Sequence, residues 1–248
     1  MPVLIRSKSC AALLVAFLPA AALAKGRSPE IGGGMTFAKG TDDYHRFSFF
    51  GDGDWKGRVA DPYGWAQLDI DSFITRFGFG GGVWKDLDRY SRVKAGLGIA
   101  FGKIHDSDSR ARSLTLETGA EKDYGRSVLG AEYYLTAGSL GSSNVSNAND
   151  RNVHERSKER AARQPGARAE SYTYHGLSGY AQLPVGTSKL GLQLSLGLPS
   201  NARRILAETV SLRVPVDRSL SVLAALAFEQ QGHDSDVYFS AGFYFRFL

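Results

Sequence analysis

Two short runs place a histidine beside paired carboxylates and a hydroxyl: His105-Asp106-Ser107-Asp108 and His233-Asp234-Ser235-Asp236. Carboxylates around a histidine can hold a metal, and a serine beside a histidine can start a nucleophilic pair. The same tight spacing is also how polar turns are written, and the turn reading is favoured here. His175 and Ser178, in His-Gly-Leu-Ser-Gly, form a third candidate pair. Gly78, Gly80, Gly81 and Gly82 follow Arg76. A phosphate-binding loop would open a helix at that point, and no helical pattern follows. No cofactor and no metal is expected.

The elements that carry these residues have a period of two. Leu190, Leu192, Leu194, Leu196 and Leu198 alternate with Gly191, Gln193, Ser195 and Gly197. A helix would scatter these leucines, whereas a strand puts them on one face. The same alternation recurs at Val93, Ala95, Leu97, Ile99 and Phe101, and at Val222, Ala224, Leu226 and Phe228. Such runs give about twelve strands, with ten as the smaller count, near 29–38, 44–53, 63–71, 73–84, 91–103, 112–121, 127–137, 170–184, 188–198, 204–214, 219–230 and 236–248. The stretch 63–84 has only a thin turn signal, so it reads as one long strand or two. On this parity His175 faces outward with Leu177 and Ala181, whereas Ser178 faces inward.

The composition narrows the class. The chain has 248 residues, 43% hydrophobic and 22% charged, with 29 glycines and one cysteine. No run of 18 apolar residues follows the N-terminus, which excludes a helical membrane protein. The lone cysteine excludes a disulfide framework and a Cys-based zinc site. Residues 1–24 have a basic start at Arg6 and Lys8, an apolar run, and Ala22-Leu23-Ala24, the layout of a cleaved secretory signal. Without Arg6 and Lys8 the formal charge falls from +5 to +3, which does not argue for nucleic-acid binding. The mature chain, read as one domain, is then 25–248.

Three features favour a membrane barrel over a soluble sandwich. Many strands run longer than the usual five or six residues, and about 9–11 suffice to cross a bilayer when tilted. One strand face is apolar while the other carries Gly, Ser, Gln, Tyr and charge. With the C-terminus placed in the periplasm, the short turns at 184–188 and 215–219 fall on that side. The 138–169 segment then falls outside, with 53–62 as a long exception.

The chain ends on an alternating strand. Val237, Phe239, Ala241, Phe243, Phe245 and Phe247 share one face, opposite Tyr238, Ser240, Gly242, Tyr244 and Arg246. Here the sequence resembles the bacterial outer-membrane β-barrel proteins. They typically finish on an aromatic strand ending in phenylalanine, read by the barrel-assembly machinery. This chain departs by one residue, since Leu248 follows Phe247. The resemblance is to the class and implies an antiparallel up-and-down transmembrane β-barrel in the bacterial outer membrane. It implies contact with membrane lipid and lipopolysaccharide, and Phe243, Phe245 and Phe247 as the assembly signal.

On the same parity the lumen holds Trp65, Gln67, Asp69, Asp71, Arg76, Arg92, Lys94, Glu117, Glu132, Tyr134, Tyr172, Tyr174, Tyr180, Gln182, Arg213, Glu229, Tyr244 and Arg246. Both charge signs are present, which favours a closed or narrow lumen over an anion pore, where one sign dominates. Tyrosine faces there suit a sugar ring. Within 138–169, a polar stretch precedes Arg151, Arg156, Lys158, Arg160, Arg163 and Arg168, a basic surface element suited to an anionic polysaccharide. Three functions remain: a passive channel or accessory barrel for a small solute or surface saccharide; a sealed barrel whose loops bind an envelope partner; and a lipid-modifying enzyme. No nucleic-acid partner is expected.

Overall fold

The computed structural model describes residues 30–41, 44–105, 110–140, 170–200, 203–232 and 234–247. Segment 1–24 and the basic run 151–168 lie outside them. The described residues form twelve strands: β1 (Glu30–Gly40), β2 (His45–Asp54), β3 (Asp61–Asp71), β4 (Ile74–Asp86), β5 (Ser91–Ile104), β6 (Arg110–Asp123), β7 (Val128–Leu140), β8 (Glu170–Val185), β9 (Ser188–Pro199), β10 (Ile205–Pro215), β11 (Leu220–Gln231) and β12 (Asp234–Phe247). Each pairs antiparallel with its sequence neighbours, and β1 pairs with β12, which closes the barrel. The stretch 63–84 is thus two strands. The closing register runs from Ile31 opposite Phe247 to Gly40 opposite Tyr238.

The strands are 10 to 16 residues long. At about 3.3 Å per residue and a tilt near 40°, eleven residues rise roughly 25–30 Å, enough for a hydrocarbon core. The polarity is inverted relative to a soluble fold. Outward positions hold large apolar side chains that remain exposed, among them Phe37, Phe47, Leu97, Leu116, Leu194 and Phe239. The least exposed side chains include polar and charged ones: Asp69 and Ser178 at 2%, Glu229 at 5% and Glu117 at 6%. Leaving one Phe or Leu in water rather than burying it costs about 1.5–3 kcal/mol. An exterior of this kind needs a lipid solvent.

Several hairpins close on an aspartate that accepts backbone N–H bonds from the residues ahead of it. Asp71 Oδ1 accepts from Phe73 at 2.6 Å and Ile74 at 2.8 Å. Asp88 Oδ1 accepts from Tyr90 and Ser91, both at 2.7 Å. Asp217 Oδ1 accepts from Ser219 at 2.6 Å and Leu220 at 2.8 Å. This local capture explains why Asp starts these turns.

The short turns within 184–188 and 215–219 lie at the rim of the termini and the β7–β8 connection at the opposite rim, but that opposite rim also carries short connections. At the rim opposite the termini, 72–73 and 232–233 are as short as any connection at the terminal rim. A carboxylate or a glycine turns the chain in two residues at either end: Asp71 and Gly232, with φ near +65°, at the opposite rim, and Gly186, with φ near +62°, at the terminal rim. The long 55–60 connection at the terminal rim is an ordered turn. Trp55 is 2% exposed and its N–H donates to the Pro62 carbonyl at 2.9 Å, while Lys56 pairs with Asp61 at 2.5 Å.

The turn aspartates generate a test. Backbone N–H donors hold the carboxyls of Asp88 and Asp217 below their ordinary value of 3.8. Their contribution is full above that value and is lost as pH falls through the lowered one. Chemical unfolding of the refolded barrel should therefore weaken from pH 7 to pH 3. It should weaken less in an Asp88→Asn, Asp217→Asn variant. The same acid loss in both proteins would remove this role.

Candidate functional site

The inner wall follows from the strand register. Trp65, Gln67, Asp69 and Asp71 on β3 face inward, as do Arg76 on β4, Arg92 and Lys94 on β5, Glu117 on β6, and Glu132 and Tyr134 on β7. Tyr172, Tyr174, Tyr180 and Gln182 on β8, Arg213 on β10, Glu229 on β11, and Tyr244 and Arg246 on β12 share that side. Phe243, Phe245 and Phe247 face outward. The inward set also holds residues that parity in the sequence did not single out, including Arg46, Asp52, Tyr63, Trp84, Glu121 and Gln193.

Large inward side chains lie flat because glycines face them. Trp65 is directly opposite Gly80, and a Cβ there would meet its Cε2 at 2.8 Å. A Cβ on Gly98, one strand further, would meet Trp65 Cζ2 at 2.7 Å. Tyr63 passes over Gly82 and Gly96 in the same way and donates from its hydroxyl to Glu117 Oε1 on β6 at 2.5 Å. The glycine run 78–82 and its β5 counterparts are therefore a bare strip on which two aromatic rings rest. Gly130 and Gly176 do the same for Tyr180 and Tyr134.

The ionic contacts also run around the wall. Arg76 pairs with Asp69 at 3.1 Å, and Asp69 accepts from Ser48 at 2.7 Å and Gln67 at 2.8 Å. Arg92 pairs with Glu121 at 2.5 Å, and the Tyr180 hydroxyl donates to the other Glu121 oxygen at 2.8 Å. Lys94 reaches Glu132 at 2.7 Å across Gly119, where a Cβ would crowd both side chains. Tyr244 donates to Asp52 at 3.2 Å and Tyr238 to Glu229 at 3.1 Å. Each of these contacts joins strands no more than three apart in a ring of twelve. These pairs run along the wall and not across the lumen.

Space remains inside. One cavity of about 240 Å³ is lined by Trp65, Gln67, Asp69, Arg76, Glu117, Glu132, Tyr134, Ser178 and Gln193, among others. A second of about 340 Å³ is lined by Glu121, Glu132, Tyr180, Gln182, Gln193, Thr209 and Ser211, among others. They share Glu132, Gln193 and Thr209. The wall beside β10–β12 is built from small residues, with Ala207, Thr209, Ser211, Ala225, Ala227 and Ser240 on the inward register.

The charge count by strand is uneven. Inward carboxylates are Glu30 on β1; Asp52 and Asp54 on β2; Asp61, Asp69 and Asp71 on β3; Asp86 on β4; Glu117, Glu121 and Asp123 on β6; Glu132 on β7; Glu229 on β11; and Asp234 and Asp236 on β12. Inward cations are Arg46, Arg76, Arg92, Lys94, Lys189, Arg213 and Arg246. Outward strand positions carry the opposite bias: Lys39, Lys85, Lys103, Arg110, Arg112 and Lys122 against Glu208.

The His175–Ser178 pair does not assemble. Ser178 faces the lumen, where it accepts from Gln193 at 2.8 Å and from Ser195 at 3.2 Å. His175 faces outward and shares a 2.7 Å hydrogen bond with the Tyr133 hydroxyl. The sheet lies between them. His105 contacts Thr75 Oγ1 at 2.9 Å, while residues 106–108 and His233 lie outside the described residues.

No protein-family model matches the chain, and no curated protein matches it in sequence. Solved structures do match. The KdgM porin in complex with disordered oligogalacturonate aligns with a TM-score of 0.58 at 8% identity, over 88% of this chain and 99% of that one. The NanC porin aligns at 0.58 and 10%, over 87% and 100%. The translocator domain of the autotransporter NalP from Neisseria meningitidis aligns at 0.58 and 11%, over 96% and 95%. The fold is that of a bacterial outer-membrane β-barrel. At these identities the likeness concerns the barrel alone.

The glycine strip of this barrel has a direct test. Gly98→Val should lift Trp65 off the wall and change the near-ultraviolet circular dichroism and tryptophan emission. The far-ultraviolet strand signal should persist. An unchanged aromatic signal in a folded variant would show that Trp65 does not rest there.

Proposed function

We propose that the chain is a passive channel of the bacterial outer membrane that admits a small polar solute. The adjoining polar cavities carry this reading. They lie inside a closed wall whose aromatic and ionic side chains are spread along the surface, so the interior keeps room for water and solute. A barrel sealed by its own salt bridges would place those bridges across the lumen.

Several finer assignments go with it. Segment 1–24 acts as an export signal removed on translocation. The termini sit on the periplasmic side and the opposite rim faces outward. At that outer rim Lys103 stands directly opposite Arg110 on the lipid-facing side, with Arg112 two residues on and Lys39 on β1. Like charges directly opposite destabilise a sheet unless an anion neutralises them. Lipopolysaccharide phosphate would do so, and the basic run 151–168 would extend the same contact. Phe243, Phe245 and Phe247 form an outward ladder beside β1 and β11 that the assembly machinery would read. A saccharide is a suitable solute, because Trp65 and Tyr134 offer ring faces beside amides and carboxylates that bind hydroxyls.

The channel reading is tested in planar bilayers with the refolded protein. Discrete conductance steps are expected. Silence at every voltage, from protein shown to be folded, would contradict it.

A further inference from the structure

The formal charge of the whole chain is +5, yet the barrel sorts its charges so that the lumen is acidic. Among the described residues the inward set named above has fourteen carboxylates against seven cations, with the bias reversed on the outside. An excess of acid alone would not establish what the open space presents to a solute, because each cation could still project into it.

Four of the seven inward cations are held at the wall. The Arg92 guanidinium lies over the Trp84 ring at 4.2 Å, and Lys94 Nζ lies 5.5 Å from the same ring. Arg213 lies over Tyr244 at 4.1 Å. Aromatic faces thus hold these charges against the wall. Arg76 is the one cation that lines either cavity, and it is tied to Asp69. Asp69, Glu117 and Glu132 line the first cavity, and Glu121 and Glu132 the second. A solute moving between the cavities passes Glu132 in both.

From this we infer that the lumen prefers cations: it passes cationic and neutral polar solutes and turns back anionic ones. Carboxylate-lined constrictions select by the sign of their field. The inference rests on the channel reading above and names its solute class. The oligogalacturonate of the KdgM complex is a polyanion, so it is the wrong charge for this wall.

The test is the reversal potential of the reconstituted full chain across a tenfold potassium chloride gradient. The expected sign is that of preferential potassium flux. Glu117→Gln together with Glu132→Gln should reduce the potassium-to-chloride permeability ratio by about two- to threefold, since two charges of the cavity field are removed. Glu121→Gln alone should shift it the same way and serves if the double variant does not fold. A chloride preference in the original protein would overturn the inference and leave the channel reading standing. So would a ratio unchanged in every folded variant. Absence of conductance would overturn the channel reading and this inference with it.

Discussion

Inside a bilayer no backbone N–H or C=O can turn to water, and each one left without a partner costs several kcal/mol. A sheet in that setting has to close. Pairing of β1 with β12, over ten register partners from Ile31–Phe247 to Gly40–Tyr238, is therefore the contact on which every other feature depends. Closure fixes which side of each strand is inside. Once Ser240 and Tyr244 face Ala38 and Gly34, the alternation carries round the ring and sends Phe239 and Phe243 outward. The apolar half of the sequence then meets lipid, and the polar half is confined in a small volume.

That confinement has consequences. Ion pairs and tyrosines brought into a narrow lumen would fill it if they stood upright. Here they are laid down. Glycines at 80, 82, 96, 98 and 119 leave bare wall beneath Trp65, Tyr63 and the Lys94–Glu132 pair, so that side chains reach two or three strands around the circumference. The glycine content thus follows from the barrel radius: wall space given up by one strand accommodates an aromatic ring from another. Cations settled on Trp84 and Tyr244 are part of the same arrangement, which leaves Arg76 beside Asp69, Glu117 and Glu132 in the lining of the first cavity.

The strands were legible because lipid and lumen impose opposite demands at every second residue. Leu190 to Leu198 and Val237 to Phe247 show it without interruption. β2 was harder to read. Phe47 and Phe49 face outward, but Phe50 faces inward and stacks on Tyr244 at 6.2 Å, so the aromatic run Phe47-Ser48-Phe49-Phe50 hides the polarity of Asp52. Contacts between distant strands left no local trace. Tyr63 and Glu117 are 54 positions apart, and nothing in either neighbourhood names the other. Gly78 to Gly82 stood out in the sequence, whereas the two rings that rest on them did not. Connection length carried less information than strand pattern, because an aspartate or a glycine can turn a hairpin in two residues at either rim.

The central claim is a wet, polar lumen inside an apolar wall with strict alternation between them. Cysteine accessibility measures it most directly, since Cys10 is the sole native thiol and can be replaced by serine. Single cysteines at Glu132, Ser178 and Gln193 in the refolded barrel in lipid should react with a small water-soluble thiol reagent. Cysteines at Leu116, Tyr133 and Leu177 should stay protected. Equal protection of the lumen positions would mean a sealed core, and reaction at the alternate positions would mean that the faces are assigned the wrong way round.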